Sequence, residues 1–483
     1  MYTYYQQTVR TSYKNNIAEN PMTTRTTEHS DTRTSERTGA CDVNFMPPLR
    51  RAVPLGIQHV LAMFVGNVTV PIIIAGAADL PADQTAFMVQ AAMFVAGIAT
   101  LLQSLGLGPI GARLPIVMGT SFGFVPVLIP IAVGMGLPAA LGAALCGGVA
   151  MALVGLFLPW FRFLFPPVVT GTFVVMLGIL LMPVGLAYAG GGFGASDFGA
   201  SHHLGLAALV LIVTVGLHQF GRGMWSEIAP LAGLLVGFAA ATAFGYVDFS
   251  KVGDADWIAL PTPLGIGLEF HMAAIIPVVL LSLVTVAESI GDIVGTTAGG
   301  LNREPTKKEL SGGVMADGIA SVFAAIFNAF PQISFSQNVG MVALTGVVSR
   351  FVVAIGGGFL VLAGLLPKLG GLVSSIPNAV LGGAVLLMFG MIASAGIKML
   401  SQVPFDKRNM LIIGTSLTIA VGLPAQEGLY ANLSENLQAM IESGLIPGAI
   451  TAIALNLILP KVHKPAPDDA ERTESTVIKP DSL

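Results

Sequence analysis

The chain has 483 residues, of which 54% are hydrophobic and 10% charged, and its formal net charge is −4 at neutral pH. A soluble domain carries roughly 25% charged residues, so the composition excludes an ordinary soluble enzyme and a nucleic-acid partner and identifies an integral membrane protein. Two cysteines, Cys41 in a polar segment and Cys146 in an apolar one, provide neither a disulfide nor a metal framework, and no cofactor is expected.

Residues 1–49, with TTRTTEHSDTRTSERTG at their centre, are too polar to pack a core and read as a disordered cytoplasmic tail. The tail lacks the apolar stretch of a cleavable signal, so the chain is expected to insert through its first span and stay uncleaved. From Leu55 to Pro460 apolar runs recur that are long enough to cross ~30 Å of hydrocarbon as helices, about fourteen in all. The first seven are Leu55–Ala77, Gln84–Leu105, Leu114–Met135, Ala139–Leu158, Pro166–Leu186, Leu204–His218 and Ile228–Phe244. A polar linker, 246–270, then precedes Met272–Thr297, Glu309–Phe330, Gln332–Val348, Phe351–Leu366, Ile376–Lys398, Met410–Leu423 and Ile446–Pro460. Residues 461–483 form a second polar tail.

The fold class expected is therefore an all-α polytopic membrane protein. An even number of spans puts both termini on one side, and the basic residues select that side. Arg113, Arg162, Arg222, Arg303, Lys307, Lys308, Arg350, Lys407 and Arg408 fall with the tails, whereas the opposite loops hold Lys251 and Lys368 among acids such as Asp79, Asp83, Asp254, Glu427 and Glu435. The positive-inside rule makes both termini cytoplasmic and the 246–270 linker external. Two halves, 50–245 and 271–460, carry seven spans each, so the second must insert upside down relative to the first, as an inverted repeat.

The third span of each half has an unusual composition. LPIVMGTSFGFVP, from Leu114 to Pro126, and FPQISFSQNVG, from Phe330 to Gly340, both mix Pro, Gly and hydroxyl residues with β-branched ones. That mixture favours short extended stretches breaking spans 3 and 10 over continuous helix. Broken spans in corresponding places point to a binding site near the midplane, where helix ends offer N–H groups to an anionic or carbonyl-bearing ligand.

Ionisable groups inside such spans need a task or a partner. Glu288 and Asp292 stand one helical turn apart on one face of the eighth span, placed to bind a solute, a proton or an ion; the alternative is a polar patch sealing two helices. Asp317, beside Gly318, either faces the same cavity or makes a cap or packing bond. Gln337 and Asn338 follow the second break, and adjacent amides present the donors and acceptors that suit the edge of a heterocycle, unless they only repair the broken backbone. His59 and Asn67 share a face of the first span, His59 as a proton-linked group or an interhelical bond. Phe122, beside Ser121, either stacks on a planar solute or simply packs. The sequence contains no phosphate-binding loop and no HExxH helix, which argues against an ATP-driven pump and against a zinc hydrolase. Glycine runs such as 356–358 and 370–371 read as helix-packing surfaces.

QNVGMVALTG, from Gln337 to Gly346, resembles the signature of the nucleobase–ascorbate transporter family, the xanthine/uracil permeases. AESIGDI from Ala287, ADG from Ala316 and QHVLA from Gln58 are similar to further motifs of that family, and the resemblance covers about 50–460. It implies fourteen spans in a 7+7 inverted repeat, with a core domain of spans 1–4 and 8–11 and a gate domain of spans 5–7 and 12–14. It also implies a homodimer in the lipid of a cell membrane that imports a base together with a proton. Carried over by position, Glu288 holds the base, Gln337 reads its edge, Asn338 and Ser336 shape the site, and Phe122 stacks. Asp292, Asp317, His59 and Ser121 support affinity or coupling. Uracil carriers place an acid, and ascorbate carriers Pro, where Gln337 stands, so the resemblance implies xanthine or uric acid as substrate. Another nucleobase, or an anion carried on the same architecture, is the alternative.

Overall fold

The computed structural model describes residues 42–158, 166–249, 252–253 and 255–460. The expectations for 1–41 and 461–483, and for Cys41, Arg162, Lys251 and Asp254, fall outside them. Helix dominates: α1 Leu49–Ala77, α2 Ala82–Leu105, α3 Val125–Met135, α4 Leu137–Leu156, α5 Pro167–Ala189, α6 Ser201–Phe220 and α7 Ala229–Ala243 precede the linker. After it come α8 Met272–Leu301, α9 Lys307–Ile326, α10 Ser336–Thr345, α11 Arg350–Gly364, α12 Asn378–Leu400, α13 Lys407–Gly422 and α14 Leu445–Ile458. Among the described residues, eight helices (α1, α2, α4, α5, α6, α8, α9 and α12) are long and apolar enough to cross a bilayer. A ninth crossing results if α11 and the short helix Pro367–Ser374, bent by 84°, count as one. Pro367 causes that bend, since proline has no N–H to continue the ladder and pushes the residue before it out of helical geometry.

The break expected in spans 3 and 10 is present. Met118–Thr120 forms β1 and Gln332–Ser334 forms β2, paired antiparallel with Met118 opposite Ser334 and Thr120 opposite Gln332. Ser121 N–H donates to Pro331 O at 2.9 Å and Phe335 N–H to Val117 O at 3.0 Å, extending the pairing beyond both ends. Backbone in hydrocarbon has no water to bond, so each strand alone would strand its N–H and C=O groups; the two broken spans satisfy each other. Side chains close the outer edges. Thr100 Oγ1 on α2 accepts from Met118 N–H at 2.9 Å, and Ser321 Oγ on α9 accepts from Gln332 N–H at 3.0 Å.

Thr100 and Ser321 occupy matching places on α2 and α9, and the helix packing repeats the same relation. α4 packs on α9 and α2 on α11; α6 packs on α7 and α13 on α14; α5 packs on α12. Adding seven to each helix number converts every pair into another pair of the set, which is the signature of a 7+7 inverted repeat. Glycine sets the closeness of two of these crossings. A Cβ on Gly148 would stand 2.8 Å from Gly318 O, and one on Gly97 would stand 2.6 Å from Gly357 O. Within the run 356–358, Gly356 and Gly357 meet neighbouring backbone in this way, whereas Gly358 faces open space.

Residues 42–49 are held more firmly than a free tail. Val43 O accepts from Arg350 N–H at 3.1 Å and Phe45 O from Ser349 Oγ at 2.5 Å, strapping this segment to the start of α11.

Candidate functional site

The two β-strands cross where α3 and α10 begin, facing α8. A helix leaves its first N–H groups without intrahelical acceptors, so this crossing concentrates donors beside a helix that carries carboxylates. Three carboxyl groups gather there, from Glu288 and Asp292 on α8 and Asp317 on α9, close enough to act on one another electrostatically.

Two of the three are spoken for. Asp292, 7% exposed, accepts from Ser336 Oγ at 2.7 Å and from Ser334 Oγ at 3.2 Å, which laces α8 to the end of β2 and the first turn of α10. Asp317 lies mid-helix in α9, fully buried, so the cap reading is corrected: an N-cap position is half outside the helix, and Asp317 is ten residues inside. Its carboxylate accepts from Ser289 Oγ, from the Ser334 backbone N–H and from Gln103 Nε2 at 3.2 Å. Gln103 in turn accepts from Ala112 N–H at 2.9 Å. Asp317 is thus a bolt between α8, α9, α2 and β2.

Glu288 is different. Its side chain is half-buried and has no protein hydrogen-bond partner, and its Oε2 is shut off from solvent. A carboxyl group in that condition costs several kcal/mol unless something else engages it. Gln337, in the first turn of α10, is likewise half-buried with its amide unused by the protein.

The adjacent amide behaves oppositely. Asn338, 2% exposed, donates Nδ2 to Pro115 O at 2.6 Å and receives His59 Nδ1 on Oδ1. Because Asn338 Nδ2 is committed to a carbonyl, Oδ1 must be the acceptor and His59 carries its proton on Nδ1. His59 Nε2 is left buried and unpaired. Asn338 therefore fastens α10 to α1 and to the approach of β1, with both ends of its amide used.

On the first broken span, Ser121 Oγ accepts from Gly123 N–H at 3.1 Å and turns the chain into α3. Phe122 is 6% exposed and meets Phe389 of α12 edge-on, ring centroids 5.1 Å apart. Asn67 Oδ1 accepts from both the backbone N–H and the hydroxyl of Thr120, at 2.9 and 3.0 Å, and that hydroxyl also accepts from Gln332 Nε2 at 3.2 Å. Asn67 Nδ2 and Gln332 Oε1 stay buried without partners. Gln103, Thr120, Ser289, Gln332 and Ser334 were not singled out by residue type. Thr120, Gln332 and Ser334 carried a signal, their place inside the Pro-bounded extended stretches of spans 3 and 10.

The model of the permease family that covers xanthine and uracil permeases matches residues 50–429. The chain is 40% identical over 405 residues to the uric acid permease PucK of Bacillus subtilis, covering 83% of this chain and 94% of that one. It is 38% identical over 411 residues to the xanthine permease of the same organism, covering 84% and 93%. Among solved structures, murine Slc26a9, an anion transporter in the inward-facing state, aligns with a TM-score of 0.58 at 14% identity over 92% of this chain and 74% of that one. At that identity the likeness is one of fold.

Proposed function

The chain belongs to the xanthine/uracil permease family, and from that premise we propose that it imports an oxidised purine, xanthine or uric acid, by proton symport. Members of this family are permeases, so the chemistry at stake is recognition and movement of a solute, with no bond of the substrate broken. The observation that carries the reading is that Glu288 and Gln337 have no partner in the protein while every other candidate around them is engaged. A carboxylate accepts N–H donors, and an amide both donates and accepts. An oxidised purine displays ring N–H groups beside carbonyl oxygens, so its N–H groups bind Glu288 and its carbonyl and ring nitrogens bind Gln337. Phe122, edge-on to Phe389, stacks on the flat face of the base. The relatives named for xanthine and for uric acid support the same substrate class.

In this reading Asp292 and Ser336 hold Glu288 and Gln337 in register, because their mutual bond joins the two helices that carry those residues. Protons bind at Glu288 and His59, where Oε2 and Nε2 are buried without a partner in the protein. Spans 1–4 and 8–11 move as a core against a gate of spans 5–7 and 12–14, and a bound base with its proton biases that motion by binding the two states differently. Both termini are cytoplasmic, the halves 50–245 and 271–460 flank the external linker 246–270, and the working unit is a homodimer in the lipid of the cell membrane.

Uptake of labelled xanthine by cells expressing the chain tests this. Competition by excess xanthine and urate, and collapse of uptake by a protonophore, are expected. Purine uptake indifferent to the protonophore removes the coupling, and sulfate- or chloride-dependent flux without purine competition overturns the substrate class in favour of an anion carrier.

A further inference from the structure

Outside the site just described, Asp197, His202 and His203 are the group of side chains among the described residues whose ligating atoms all converge to within 4.8 Å. Asp197 lies in the turn after α5, and the two histidines open α6. Neighbouring residues on a helix point about 100° apart and do not normally face one another. Here both imidazoles aim Nε2 at the same carboxylate oxygen: His203 at 2.9 Å and His202 at 3.2 Å from Asp197 Oδ2, with ring centroids 4.0 Å apart. Two ligands on a tetrahedral zinc at ~2.0 Å stand about 3.3 Å apart, and the separations of the two imidazole nitrogens from Asp197 Oδ2, 3.2 and 2.9 Å, lie close to that spacing.

The surroundings hold that arrangement. The Tyr246 ring, just past α7, stacks on His202 with centroids 5.1 Å apart. Gly191, at φ +120°, gives His203 its room, since a Cβ there would sit 2.8 Å from the imidazole Cδ2. Gly191 O also accepts from Asn378 Nδ2 at 3.0 Å, which ties the turn to the start of α12.

We propose that Asp197, His202 and His203 form a binding site for one divalent transition-metal ion of the zinc type. Two imidazoles with one carboxylate suit zinc, copper or nickel rather than magnesium or calcium, which take mainly oxygen ligands. Three protein ligands leave a fourth position for water. An ion there braces the turn after α5 against the first turn of α6, and through Tyr246 and Asn378 it reaches α7 and α12.

The test uses the untagged full-length chain, purified in detergent, stripped with a chelator and titrated with zinc ion alone against a chromogenic competitor. The expected result is one zinc ion per chain, with Asp197→Asn, His202→Gln and His203→Gln each weakening binding by at least about tenfold. Zinc should also raise the unfolding temperature of the wild type while magnesium does not. His271→Gln, at a histidine paired with Glu269 alone, leaves the titration unchanged. A wild type that takes up no zinc overturns the proposal, as does retention of wild-type affinity by both His203→Gln and Asp197→Asn.

Discussion

Gln337 and Asn338 are consecutive amides with opposite circumstances, and their replacement should separate transport from stability. Asn338→Ala removes the bond to Pro115 O at 2.6 Å and the bond to His59, leaving a carbonyl and a ring N–H in a region where His59 and Asn338 are 1% and 2% exposed. Each buried polar group left without its partner costs ~1–3 kcal/mol, so the pair amounts to roughly 2–6 kcal/mol. Gln337→Ala removes no protein bond, and a half-exposed side chain of that kind changes stability by about ±0.5 kcal/mol. The loss falls instead on the substrate, where one or two hydrogen bonds at ~0.5–1.5 kcal/mol each correspond to a fall of roughly 2- to 150-fold in affinity. The assay is thermal unfolding of each purified variant alongside uptake of labelled xanthine at matched membrane abundance. Gln337→Ala should unfold like the wild type with uptake impaired, and Asn338→Ala should unfold at a clearly lower temperature. If Gln337→Ala is as destabilised as Asn338→Ala and its surviving protein transports normally, the separation of roles is wrong.

Two further outcomes follow from packing and capping. Gly148→Val places a branched side chain whose Cβ stands 2.7 Å from Val322 N and 2.8 Å from Gly318 O, both backbone atoms that cannot swing aside. α4 and α9 must then separate at a cost of about 1–3 kcal/mol or more, read as a lowered unfolding temperature, whereas the same change at Gly358, which faces open space, should leave unfolding unaltered. Thr306 caps α9 by accepting from Glu309 N–H at 3.2 Å, while the Glu309 carboxylate returns to Thr306 N–H at 2.7 Å and to Arg303 at 2.6 Å. Thr306→Ala should cost about 1 kcal/mol by the same measurement, without loss of purine uptake.

Much of this architecture was legible because a bilayer imposes strong local rules. Apolar runs mark helices wherever they occur, and the mixture of proline, glycine and β-branched residues in 114–126 and 330–340 marked the two extended breaks to within a few residues of β1 and β2. What remained hidden was relational. Nothing local to Met118 says that it pairs with Ser334, more than two hundred positions away, or that Thr100 and Ser321 cap the two strand edges. Residue type likewise presented Glu288, Asp292 and Asp317 as equivalents. The hydroxyls of Ser289, Ser334 and Ser336, with the Gln103 amide and the Ser334 N–H, distinguish the two engaged carboxyl groups from the free one, and such common residues do not announce that role. The same holds for Gln337 and Asn338, where one position along α10 decides which amide turns to the protein and which is left for a solute.

The central claim is that Glu288 is unpartnered because a purine is its partner. Glu288→Gln keeps the shape of the side chain and removes a carboxyl group whose Oε2 is buried without a bond. Uptake of labelled xanthine by this variant, scored beside its unfolding temperature, is the direct measurement. The account predicts uptake lost while the protein unfolds no earlier than the wild type. Xanthine transport at the wild-type rate, or loss of transport only in step with loss of the folded protein, would contradict it.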